Sequence, residues 1–467
     1  MKTKNPKASF LLAIILLLVL NSCSKEESLE SDPFVIAFVS LSQNLIEIEN
    51  EENISLVYSE IALEDGSVTI DIIPENAIYG VDFVTIPEAS ANSITLPIRS
   101  GEIQNTILFK KLNEGLDETT EILFEVVSIN YNNSNIQGNS SFLMNASASL
   151  GGSFNPEVGG PNQGNQVYID LSSQSSRLAQ RDSWDLGFYN GTNFRVTING
   201  SIFMAAKALP GINIDAISEA DVSSLQPQVA VGTFDPSNAA YVDGPNGNIL
   251  ETAIAEISDN DNENPVYLLN LGYEIGTDIP TPGSVAIAGD QRGWKKIRIL
   301  RSGDNYVLQY ANLNDTSHQE IAISKNSNYN FNHFSFNTNT IVNVEPEKEK
   351  WDLCFTVFTN VLNGAGSYGF SDFSYHNRKA NALVYRVNTS DFEYDNFEAN
   401  NIIDSNFSKD LTTIGSSWRS VFDGTAYNDR FYIVKDPNGN HYKLKFLSLT
   451  NSNGIRGYPE FQYKLLQ

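Results

Sequence analysis

Trp-Asp-Leu-Gly-Phe at Trp184–Phe188 returns as Trp-Asp-Leu-Cys-Phe at Trp351–Phe355, and the two pentapeptides do not stand alone. A strand-like stretch with a polar second half precedes each, VYIDLSSQSS before the first and FSFNTNTIVN before the second. Downstream, RSGDNYVLQYANL (Arg301–Leu313) answers PNGNHYKLKFLSL (Pro437–Leu449). Gly303 matches Gly439, Tyr306 matches Tyr442, Leu308 matches Leu444, Tyr310 matches Phe446 and Leu313 matches Leu449. Each run reads as a tight glycine turn entering an alternating strand with a buried aromatic and leucine face. The landmarks keep their order while their spacing differs, so the chain carries two domain-sized, mainly β units and not a short-period solenoid. The Trp-Asp pair itself reads as structural: the indole packs in the core, and the carboxylate takes up donors that would otherwise be buried unpaired.

The chain has 467 residues, too many for one ordinary core, which implies two or three domains. With 41% hydrophobic and 18% charged residues it is globular and not disordered. Tyr 20 and Phe 26 against Met 3 favour strands, whose pleated, half-buried faces suit aromatic rings. A net charge of −26 excludes nucleic acid as a partner, because phosphate binding rests on an excess of Lys and Arg.

Residues 1–23 read as an export signal: Lys2, Lys4 and Lys7 form the basic region, and Phe10–Leu20 an apolar stretch too short to span a bilayer. It ends in Leu20-Asn21-Ser22-Cys23, which resembles the lipobox of bacterial lipoproteins and implies lipidation at Cys23. The acidic tether 24–34, SKEESLESDPF from Ser24, resembles signals that send lipoproteins of Gram-negative bacteria to the outer face of the outer membrane. Cys354 is then the only other cysteine, so no internal disulfide is expected in that oxidising location.

Residues 35–129 alternate with period two in short runs (SVTIDII, SITLPI, NTILFKKL, EILFEVVSI), the pattern of a β-sandwich. Gly80-Val81-Asp82-Phe83, then Gly101-Glu102, then Asp117-Glu118 before a final strand resemble a Calx-beta domain. That resemblance implies a calcium site at the loop carboxylates Asp82, Asp117 and Glu118, in keeping with the oxygen ligands calcium takes. The residues alone are equally served by a spacer whose acidic loops are merely solvated. Residues 130–166, rich in Asn, Ser and Gly, read as a linker holding at most one strand. The two repeated units follow at 167–330 and 331–467. The expected fold class is mainly β: an N-terminal β-sandwich followed by two related, mainly antiparallel β units.

VYIDLSSQ, WDLGF, WDLCF and the C-terminal run DRFYIVKDPNGNHYKLKFLSLTNSNGIRGYPEFQYKLL resemble HmuY, a family of haem-binding lipoproteins of Gram-negative bacteria. The resemblance covers about 167–467 and implies a mainly β fold with side-chain axial ligands for haem iron. Candidate ligands are few, because the chain has four histidines. His318 and His441 read as loop or turn residues, and His333 alternates within a strand and could face either way. His376 follows an aromatic stretch containing Phe373 and Tyr375 and precedes Arg378 and Lys379, so it combines an axial nitrogen, aromatic walls and cations for propionates. No second axial ligand is evident, since Met144 and Met204 lie far from His376 in sequence. An ordinary imidazole would lose iron as pH falls through about 6.5.

Catalytic signatures are absent: there is no HExxH, no GxxxxGK[ST] and no CxxC, and Ala365–Gly369 (AGSYG) misses the nucleophile elbow by one glycine. The reading is therefore not an enzyme. It is a surface-exposed outer-membrane lipoprotein, held by its lipid anchor, that binds haem and passes it to an outer-membrane haem transporter. A surface binding or adhesion protein that holds no haem on the same scaffold remains the alternative.

Overall fold

In a computed structural model of the chain, residues 32–46, 48–112, 116–117 and 119–467 are described. The signal segment, Cys23 and Glu118 lie outside them.

Alternation in the N-terminal third builds two sheets over one core. One holds Ile36–Phe38, Glu51–Tyr58, Gln104–Lys111 and Phe83–Ile86; the other holds Ser42–Asn44, Ser141–Asn145, Glu121–Asn130, Gly66–Glu75 and Ser93–Ile98. Every second residue points inward, as in Val68, Ile70 and Ile72, and with Phe124 of the neighbouring strand these meet Phe83 and Phe109 from the facing sheet. This is a β-sandwich. Part of the stretch expected to be linker belongs to it: Phe142 and Met144 of Ser141–Asn145 are buried in this core. Gly151–Phe154 is also a strand, but it pairs with the last strand of the chain, Arg456–Leu465. Both strands are short and set among polar residues, so their alternation is hard to see locally.

The duplicated region answers the opening repeat in an unexpected way. Asn165–Asp170, which precedes the first Trp-Asp, pairs with Leu353–Leu362, which carries the second. Phe331–Ser335, which precedes the second Trp-Asp, pairs with Leu186–Tyr189, which carries the first. Two four-stranded antiparallel sheets result, in matching order. One runs Ser175–Gln180, Asn165–Asp170, Leu353–Leu362, Gly366–His376; the other runs Thr340–Val342, Phe331–Ser335, Leu186–Tyr189, Val196–Ile198. The repeats have exchanged hairpins.

Their cores are exchanged too. Val167, Ile169 and Leu171 pack with Leu353, Phe355, Tyr442 and Phe461. Phe334 and Phe336 pack with Leu186, Phe188, Tyr306 and Leu308. The paired landmarks Tyr306 and Tyr442, and Leu308 and Leu444, are all fully buried in equivalent glycine-turn hairpins of two five-stranded sheets. Gly303 and Gly439 have φ of 62° and 94°, the left-handed region a glycine takes without a Cβ penalty.

The Trp-Asp motif holds the exchange together. Asp352 Oδ2 accepts from the Leu171 backbone N–H at 2.7 Å, and Asp185 Oδ2 accepts from the Phe336 N–H at 2.6 Å. Asn377 Nδ2 donates to the Trp351 carbonyl, as Asn199 Nδ2 does to the Trp184 carbonyl. Each aspartate thus fixes the end of the hairpin contributed by the other repeat. Their charge settings differ, however. Burial raises both carboxyls, but Asp185 is opposed by a buried ion pair with Arg292 Nη1 at 2.6 Å, whereas Asp352 has the Asp170 and Asp436 carboxylates nearby and is pushed well above its ordinary range.

Candidate functional site

Hairpin exchange brings the two tryptophans to one place. Trp184 and Trp351 share a small apolar cluster with Tyr168, Val344 and Cys354. The His333 ring meets Trp184 edge-on at 4.6 Å, and the Tyr168 ring meets Trp351 edge-on at 5.0 Å, so His333 and Tyr168 are counterparts across the repeat. Beside this cluster lies a cavity of about 180 Å³ lined from both repeats, by Tyr168, Trp184, His333, Trp351, Tyr375 and His376 among others.

All four haem-site residues expected from the sequence reach this cavity: Tyr375, His376, Arg378 and Lys379. His376 ends the strand Gly366–His376, is fully buried, and neither of its ring nitrogens has a partner. Burial, reinforced by the Arg378 cation, pulls its pKa down to about 4. The titration expected near 6.5 therefore shifts well into acid, because the imidazolium has no water to stabilise it. Phe373 does not line the cavity; it stacks on Phe358 at 4.1 Å.

Arg378 and Lys379 stand where propionate partners were expected, but both are engaged. Arg378 Nη1 donates to the Asn246 carbonyl at 2.6 Å and Lys379 Nζ to the Gly247 carbonyl at 2.8 Å. They pin the segment 243–252 of the first repeat over the cavity. The same segment is tied at both ends by Asp243, which accepts from the Ile198 and Ala253 N–H groups. Burial raises the Asp243 carboxyl to about 7 and lowers the Lys379 ammonium to about 8.

Two potential iron donors that the sequence leaves unassigned also reach this place. His333 and Met204 both line the cavity with His376. His333 is buried, and desolvation alone drops its pKa to about 3, so it too is a neutral imidazole. No linear signal places these side chains together, because the hairpin exchange does. The other two histidines lie elsewhere: His318 pairs with Asp215 at 3.0 Å, and His441 opens the strand His441–Thr450 against Phe407.

Glu345 completes the polar lining. It accepts from the Phe331 N–H at 2.7 Å, and burial raises its pKa to about 8. Between its ordinary 4.5 and 8, the folded chain holds a proton that the unfolded chain releases, so Glu345 makes stability fall as pH rises through that window. His333 and His376 have lowered values and act in the opposite sense, but only below 6.5. Between pH 6.5 and 8 Glu345 costs up to about 2 kcal/mol, and the raised carboxyls of Asp243 and Asp352 act in the same direction. Thermal melts across this range should show declining stability, and Glu345→Gln, which keeps the acceptor oxygen, should make the decline shallower. An unchanged pH slope in the variant would contradict the buried neutral carboxyl.

Of the three expected calcium residues, Asp82 and Asp117 are among the described residues. Asp82 Oδ2 accepts from the Ile78 N–H within its own turn, and Asp117 Oδ1 from Thr119 N–H and hydroxyl. Among the described residues, no group of three or more His, Cys, Asp or Glu could hold a metal ion.

Comparison with known proteins bears on both halves of the chain. The family model described as HmuY protein matches residues 162–318 and 327–463. No curated protein matches. Solved structures similar to the chain include the apo form of the Calx CBD1 domain, at 12% identity over 24% of this chain and 96% of that one. The CBD12 unit of CALX1.2 matches at 10% identity over 31% of this chain and 75% of that one. A two-domain protein of unknown function from Bacteroides fragilis matches at 10% identity over 73% of this chain and 98% of that one. Each likeness has a TM-score of 0.20, too low to carry an argument. The family match is of another order: it falls twice, once on each repeat, across more than half of the sequence, and the chain belongs to the HmuY family.

Proposed function

We propose that this chain is a surface lipoprotein, anchored at Cys23 to the outer membrane, that binds haem at the junction of its two repeats and passes it to an outer-membrane transporter. HmuY proteins are associated with haem binding, which makes haem the first ligand to test. The observation that carries the reading is His376: a buried, neutral imidazole with both nitrogens free, facing a cavity walled by aromatic rings. His333 and Met204 supply donors of the types that hold haem iron from the opposite side. The donor chemistry suits haem; the space does not. A cavity of about 180 Å³ falls short of the ~300–1,000 Å³ of ordinary small-molecule sites, and a tetrapyrrole is a large ligand among those. Haem binding at this place therefore requires the segment 243–252 to lift from Arg378 and Lys379.

Titrating the mature protein with haem, read in the Soret region, tests the reading. The wild type should give a saturable shift and His376→Ala should bind at least tenfold more weakly (~1.4 kcal/mol). With His376 titrating only near 4, it should contribute no loss of affinity from pH 7.5 to 5.5, and any change across that range should trace to Asp243 or Glu345, which titrate near 7 and 8. An equal shift in the variant would remove His376 from the site. No shift in either protein would favour the second reading, a surface binding protein of the same family that holds no haem. Anchoring is checked separately by metabolic labelling with a palmitate analogue, which should mark the wild type and not Cys23→Ala.

A further inference from the structure

The two ends of the junction cavity differ in one respect that the duplication makes visible. Strand registers equate Gln166 with Phe331 and Ile198 with His376, just as they equate the two Trp-Asp motifs. At the first end the Trp184 indole N–H donates to Gln166 Oε1 at 2.7 Å, and Ile198 is an apolar neighbour. At the second end Phe331 stands where an acceptor would be, and Trp351 Nε1 is buried without a partner. His376 replaces the isoleucine and brings two more unpaired nitrogens, and Thr356 Oγ1 adds a fourth unpaired atom. All three side chains line the same cavity and are at most 4% exposed.

More than nine in ten buried polar groups in folded proteins have a partner. Four unpaired polar atoms around one cavity, all contributed by one repeat where the other repeat offers a paired indole and an apolar side chain, point to a ligand that completes them. Its chemistry follows from the lining. Arg378 and Lys379 donate to backbone carbonyls, and the carboxyls of Asp243 and Glu345 share the lining, so the site offers no unopposed positive charge to select an anion. Trp351 offers a donor, Thr356 a donor and acceptor, and neutral His376 one of each. Aromatic rings form the walls. The volume of about 180 Å³ compares with the roughly 150 Å³ apolar cavity that accepts benzene.

We infer that the junction cavity is a binding site for a compact, uncharged single-ring molecule bearing a hydroxyl or ring nitrogen, held between the two tryptophans and hydrogen-bonded by Trp351, Thr356 and His376. This ligand enters the cavity at its present size, so the inference does not rest on the haem reading. Phenol serves as the probe and benzene as its apolar control, with the mature protein titrated by calorimetry and by thermal shift. Phenol should bind saturably and raise the melting temperature, about tenfold tighter than benzene. Thr356→Val, nearly isosteric, and Trp351→Phe should each weaken phenol severalfold and leave benzene unchanged. If Trp351→Phe fails to fold, Thr356→Val decides alone. Absence of saturable binding would mean that the cavity holds only water and would overturn the inference. Equal affinity for phenol and benzene, or indifference to Thr356→Val, would overturn it too. Phenol binding without a Soret response keeps this site and removes the haem reading, while a Soret response without phenol binding does the reverse.

Discussion

Cut between Lys325 and Asn326, the chain should yield two halves whose repeat regions do not fold when expressed apart and regain a native spectrum when expressed together. The first half loses Phe331–Ser335, the central partner of its Leu186–Tyr189 strand, and with it the core residues Phe334 and Phe336. The second half loses Asn165–Asp170 and the buried Val167, Ile169 and Leu171. Three buried aliphatic side chains contribute roughly 5–9 kcal/mol by burial alone. Natural domains have only about 5–15 kcal/mol in all, so neither half keeps a margin. The exposed strand edges left behind would invite aggregation, which circular dichroism and size-exclusion chromatography would register. A half whose repeat region, as distinct from the N-terminal sandwich, melts cooperatively on its own would show that the exchange is dispensable.

The second large effect is expected at Asp185. Its carboxylate is fully buried, bonds the Phe336 N–H, and pairs with an Arg292 side chain that is 3% exposed. Asp185→Ala strands a buried guanidinium as well as a backbone donor. Breaking a buried pair by removing one partner costs about 3–5 kcal/mol. Asp352 has no such cation, and burial raises its pKa well above the ordinary range. Asp352→Ala leaves the Leu171 N–H unpaired and should cost less, about 1–3 kcal/mol. The two motifs are identical in sequence and unequal in energy.

Much of this architecture was legible in the residues, and the failures have a common cause. Alternation in SVTIDII, SITLPI and EILFEVVSI was enough to place a sandwich, because each of those strands buries one face. The order of Trp-Asp, glycine turn and aromatic strand was enough to show a duplication, which the twofold family match bears out. His376 was singled out by its aromatic and basic neighbours, and all four residues of that group do reach one cavity. The exchange of hairpins was not legible. Exchanged and unexchanged pairings bury the same faces of the same strands and leave the same sequence pattern, so periodicity cannot choose between them. His333 lies on an exchanged hairpin, and Met204 and Glu345 come from different repeats, so no local pattern joins the three to His376 in one cavity. Arg378 and Lys379 stand out in the sequence as cations, whereas their bonds to the carbonyls of Asn246 and Gly247 leave no local signal.

The claim beneath all of this is that the two repeats form one body whose junction is the site. Differential scanning calorimetry of the mature protein, wild type alongside Asp185→Ala and Asp352→Ala, tests it most directly. Although the aspartates belong to different repeats, each one secures a hairpin from the other. Both variants should therefore lower the same single transition, Asp185→Ala by more, and leave untouched any separate transition of the N-terminal sandwich. Two transitions for the repeats, one moved by Asp185→Ala and the other by Asp352→Ala, would mean that each repeat folds alone and that the shared site does not exist.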